Sequence, residues 1–172
     1  MERKHDMRWL GVSLILVVLL SACAAPVRVV TEPPPFPGGF LGARWGASVE
    51  EVKGAIAKEG YQWFEDRLDR EPYAMYASGS YLGSPAIFSY FFTPRTKQLY
   101  RVDVTWRDLS VYDRAKAELV GKFKAPSYAS RDVTHWVPWP ERNLVILQKD
   151  SSNVQMSYAS GPFLVQNHKE RE

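Results

Sequence analysis

The chain has 172 residues, with 22 basic and 19 acidic side chains, a formal charge of +3, and a 13% aromatic content. That balance is too even for a polyelectrolyte that holds nucleic acid by charge, and 45% hydrophobic residues is too many for a disordered chain. A single cysteine excludes an internal disulfide, so the fold must be held by its core, which a chain of this length can build as one domain.

The chain opens with Arg3, Lys4 and Arg8, then an uncharged apolar run from Leu10 to Leu20, then small residues before Cys23. A basic segment, a short apolar segment and a small-residue cleavage site predict a secretory signal over 1–22. The run is 11 residues long. A membrane-spanning helix needs about 20, so the signal is not a permanent anchor. Cleavage before Cys23 leaves 150 residues with 19 basic and 17 acidic side chains, a net charge of +2. Export and this near-neutral charge argue against a nucleic-acid partner.

Leu20-Ser21-Ala22-Cys23 resembles the bacterial lipobox. The resemblance implies that the Cys23 sulfur carries diacylglycerol, that the signal is cut before it, and that the new amino group is acylated. Two or three acyl chains give stable anchoring, at about 0.8 kcal/mol per buried CH₂. Ala24 stands where retention in the inner membrane commonly needs Asp. The implied location is the outer membrane, with the domain facing the periplasm.

Pro26 to Gly39 holds five prolines and ends in Gly38-Gly39. Such a stretch makes neither a helix nor a central strand, so 23–39 reads as a tether. A single α+β domain is expected over 40–162. Ser48 and Glu51 form a capping box, and Val49, Val52, Ala55 and Ile56 share one face, which predicts a helix over 48–59 that Gly60 ends. Residues 61–71 read equally as a fading strand or a helix. Strands follow at 73–77, 87–92 and 99–106. In the last of these Tyr100, Val102, Val104 and Trp106 alternate with Arg101, Asp103 and Thr105, so one face is core and the other wet.

Ser110 and Asp113 give a second capping-box-like start, with Val111, Ala115, Leu119 and Phe123 as the stripe of a helix over 110–124. Strands are predicted at 133–137, 143–148 and 154–158, the last two joined by a turn over 149–153. Residues 163–172 read as an apolar patch and a frayed charged tail. The sum is an α+β domain: an antiparallel sheet of about six strands with two helices on one face, and a possible α-βββ duplication.

Gly46-Ala47-Ser48-Val49-Glu50-Glu51-Val52 resembles the Gly-x-Ser-x-x-Glu-Val helix start of small envelope lipoproteins and related α+β modules. These include the small lipoprotein of the barrel-assembly machinery and the β-lactamase-inhibitor-like fold. The resemblance implies a domain that binds other proteins without catalysis. The Leu-Gly-x-Pro expected after the first helix is missing, and Lys122-Phe123-Lys124-Ala125-Pro126 is its nearest echo. The wider Phe40-x-Gly42-x-x-Trp45-Gly46-x-Ser48 pattern also resembles secreted bacterial proteins without an assigned activity.

Chemistry is sparse. Beyond the signal the histidines are His135 and His168, with no spacing suited to a metal, so no metal or cofactor is expected. There is no Gly-x-Ser-x-Gly elbow and no Gly-rich phosphate loop. Glu65, Asp66, Asp69 and Glu71 are interleaved with Arg67 and Arg70 and read as a self-neutralising segment; the alternative is a carboxylate pair of a cell-wall hydrolase. Trp136, Trp139 and Arg142 are the candidate partner-binding residues, the types that dominate protein hot spots. The competing reading puts Trp136 in the core and Trp139 at the sheet edge. Trp45 is expected to pack against the first helix. The leading expectation is a non-catalytic envelope lipoprotein that meets membrane lipid through Cys23 and binds another envelope protein or peptidoglycan. A periplasmic hydrolase or a small-ligand carrier with an aromatic pocket are the alternatives.

Overall fold

The computed structural model describes residues 35–172 except Pro138 and Pro140. The signal, Cys23 and most of the tether lie outside the described residues.

A two-residue hairpin comes first: β1 (Gly39–Phe40) pairs with β2 (Ala43–Arg44). Leu41 and Gly42 turn it with positive φ. At Gly39 a Cβ would sit 2.2 Å from the Ala43 carbonyl oxygen, so glycine is what lets the two backbones close. Helix α1 (Val49–Lys58) starts at a complete capping box, with the Ser48 N–H donating to Glu51 at 2.8 Å and the Glu51 N–H donating back to the Ser48 hydroxyl.

Four strands follow: β3 (Gln62–Arg67), β4 (Ala74–Tyr81), β5 (Ser84–Phe92) and β6 (Leu99–Trp106). The ambiguous segment after α1 is thus a strand. Gly79 and Pro85 sit inside β4 and β5, which run beyond the expected 73–77 and 87–92, and the turn between them is Leu82-Gly83, both at positive φ. Pro85 is tolerated because β6 pairs with β5 only from Ile87 onward, so no ladder bond needs its missing N–H. Helix α2 (Val111–Phe123) comes next. Its expected Ser110 cap is not formed. Asp108 accepts the Ser110 N–H at 2.9 Å instead. Then come β7 (Tyr128–Ala129), β8 (Val133–Trp136), β9 (Leu144–Lys149), β10 (Val154–Ala159) and α3 (Gly161–Arg171).

The α+β class is as expected, but among the described residues the sheet has eight strands where about six were expected, and three helices replace two. The strand order is β3-β4-β5-β6-β10-β9-β8-β7, antiparallel throughout. Each of the first two helices is followed by a four-strand meander, so the repeating order is α-ββββ, one strand longer than the α-βββ expected. The last strands of the two meanders, β6 and β10, pair in the middle. The expected frayed tail is the helix α3. Pro162 fits a first helical turn, where its missing N–H costs nothing, and the Asn143 side chain accepts the Gly161 N–H at 2.8 Å.

Cross-strand register sorts the side chains into two faces. Met75, Tyr90, Val102, Tyr158, Val145 and Trp136 form one row across the sheet, and Ala77, Phe88, Val104, Met156 and Leu147 the next. All are buried in one core with Val52 and Ile56 of α1 and Val111, Ala115 and Leu119 of α2. At one side of it Phe40, Tyr81, Phe123 and Tyr158 line a pocket of about 380 Å³.

Candidate functional site

The opposite face of the sheet carries no side chain of α1 or α2 in its rows. Its central row runs Glu65, Tyr76, Ser89, Asp103, Ser157, Ile146, His135 and Tyr128, one residue from each strand. A sheet with one solvated face is ordinary, and small polar residues there need no explanation. The flanks of this face do. On one side Phe64 is 54% exposed, with its ring 6.4 Å from that of Tyr76, and Ile87 is 42% exposed. A bulge between Trp63 and Glu65 breaks the alternation and brings Phe64 over Tyr76. On the other side Tyr128 is 55% exposed, its ring against His135.

Between the flanks lies a polar network. Arg101 donates from Nε and Nη2 to the Asp103 carboxylate, a bidentate pair on one strand. Asp103 is only 3% exposed. The Gln155 amide donates to it at 2.7 Å, and Gln155 in turn accepts from Gln148 at 3.0 Å. Burial opposes the charge on Arg101, but Asp103 overrides it and holds the guanidinium above its ordinary pKa. The Arg101 guanidinium also stacks on the Phe91 ring, 4.9 Å from its centroid. Residues of four strands, β5, β6, β9 and β10, thus fix one arginine in the middle of the face.

Helix α3 borders one end of it. Burial would raise the Glu170 carboxyl, but the Thr96 hydroxyl, the Gln166 amide and the Thr96 and Arg95 backbone N–H groups bring it down to about 2.

The tryptophan expectation needs correction. Trp136 is fully buried and donates from its indole to the Lys124 carbonyl at 3.1 Å. Trp139 is 6% exposed, edge-on to Phe36 at 4.9 Å and to Phe123 at 5.1 Å. Neither ring is offered to a partner. Alternation on β8 puts Trp136 on the core face, and Trp139 is taken up by Phe36, whose partly buried ring shows the packed chain beginning before Phe40. Arg142 is exposed in a left-handed conformation, so the three residues are not brought together as a platform. Trp45 stacks on Phe36 and donates to the Pro37 carbonyl at 2.7 Å. The acidic segment does not converge either. Glu65 pairs with Arg67 at 2.7 Å, Asp66 is opposite Met75 in the core-side row, and Glu71 meets Arg171 at 3.0 Å.

Among the described residues no group of three or more His, Cys, Asp or Glu side chains could hold a metal ion. Among them, too, no helix is long and apolar enough to cross a membrane. In comparisons with known proteins, no family model, no curated protein and no solved structure matches the chain.

Proposed function

We propose that this is a non-catalytic envelope lipoprotein, joined to membrane lipid at Cys23 and facing the periplasm from the outer membrane, whose domain docks another envelope protein on the face of its sheet turned away from α1 and α2. The observation that carries the docking surface is the exposed Phe64, Ile87 and Tyr128 flanking the fixed Arg101. Aromatic anchors and arginine are the residues that supply most binding energy in protein interfaces. The anchor rests on the lipobox resemblance at Leu20-Ser21-Ala22-Cys23 and the proline-rich tether after it. The repeated α-ββββ order supports a duplicated module, which would give the platform two similar halves.

The test is crosslinking in intact cells followed by recovery of the lipoprotein from membranes. A specific protein partner, enriched over a control lipoprotein and lost with Phe64→Ala/Ile87→Ser, is expected. Recovery of nothing beyond the control removes the docking reading. Labelled-palmitate incorporation tests the anchor: wild type is labelled and Cys23→Ala is not. Equal labelling overturns it.

A further inference from the structure

Where α3 meets the sheet face turned away from α1 and α2 there is a cavity of about 190 Å³, lined by Arg101, Gln148, Ser157 and the apolar Leu144, Ile146, Ala159 and Leu164. Arg101 spends Nε and Nη2 on Asp103, and its Nη1 has no hydrogen-bond partner among the described residues. The Gln148–Gln155–Asp103 chain holds the guanidinium in place before any ligand arrives, which lowers the entropic cost of binding. A planar guanidinium with unused N–H groups matches a carboxylate. The aliphatic walls match a small side chain. The volume is below the roughly 300–1,000 Å³ of sites for drug-sized ligands, so it has room for a chain end and not for a folded segment or a large metabolite.

We propose that this cavity takes the free C-terminal carboxylate of a partner polypeptide whose last residue is small and aliphatic. Arg101 binds the carboxylate, Asp103 is the positioning residue, and Leu144, Ile146 and Leu164 enclose the terminal side chain. The proposal rests on the sheet face being the docking surface, and adds which part of the partner enters it.

The experiment is calorimetric titration of the full lipidated chain in detergent with N-acetyl-Ala-Val and with the same dipeptide as its C-terminal amide. Saturable binding of the acid is expected in the millimolar range or tighter, with the amide at least about tenfold weaker, the scale of one charge-assisted hydrogen bond. Leu164→Trp fills the cavity while leaving both residues of the Arg101–Asp103 pair in the sequence, and should abolish binding while the thermal transition stays in place. Arg101→Lys, which keeps the charge but loses the fork, should weaken the acid and leave the amide unchanged. Equal binding of acid and amide, no saturable binding, or undiminished binding by Leu164→Trp would overturn the proposal. Crosslinking from Ile87→benzoylphenylalanine reads the docking face alone, because Ile87 does not line the cavity. A partner captured there without any acid binding sinks the carboxylate site only; no partner captured sinks the docking reading.

Discussion

Met156 of β10 lies directly opposite Val104 of β6, both buried, at the seam where the two four-strand meanders meet. That seam is where the two halves are hydrogen-bonded to each other. It joins the two meanders into one eight-stranded sheet, and places Arg101 and Asp103 of the first half beside Gln155 and Ser157 of the second.

Met156→Ala should therefore destabilise the whole domain by about 2–5 kcal/mol, the cost of a cavity in a packed core. Unfolding in urea should remain one transition, because the core is a single cluster spanning both halves. Two separated transitions would show the halves to be independent.

Trp136→Ala and Phe64→Ala separate core from surface. Trp136 is fully buried, and its truncation should cost about 3–5 kcal/mol. Phe64 is more than half exposed, and its truncation should change stability by less than about 1 kcal/mol while removing the partner. Denaturant melts of both variants check this.

Gly161→Ala should be among the worst single changes. Its Cβ would lie 1.7 Å from the Glu141 carbonyl oxygen, a backbone atom that cannot step aside. A loss of about 1–3 kcal/mol or more is expected. Gly38→Ala is the control, since nothing lies within 4 Å of its Cβ.

The docking of α3 should depend on pH through Glu170. Its carboxyl is depressed to about 2 in the fold, so the unfolded or undocked chain binds protons more readily. The stabilisation is complete above the ordinary value of 4.5 and is lost as pH falls from there through about 2. Amide exchange at Arg95 and Thr96, whose N–H groups donate to Glu170, should accelerate relative to the core over that range. Glu170→Gln should show the faster exchange already at neutral pH.

Much of this fold is legible in the sequence where local signals and tertiary packing agree. The Ser48/Glu51 box and the alternation from Leu99 to Trp106 mark α1 and β6 at once. Other parts depend on partners distant in the chain. Helix α3 hides behind Gly161-Pro162, a pair that reads as a break until Asn143 is seen to accept the Gly161 N–H. The strand β7 is two residues long and has no periodicity to detect. The candidate site was the least visible. Arg101 and Asp103 could be assigned to the wet face by alternation, but Gln155 is 52 positions beyond Asp103, and only the β6–β10 pairing brings them together. Trp136 and Trp139 misled because residue type suggests a hot spot, whereas burial is decided by strand parity and by Phe36.

The most direct test of the docking surface is a comparison of two crosslinker positions in living cells. Benzoylphenylalanine at Ile87, on the sheet face turned away from α1 and α2, should capture a discrete partner, and the same group at Val120, similarly exposed on α2, should not. Capture from Val120 with none from Ile87 would place the interface on the helices and contradict the account.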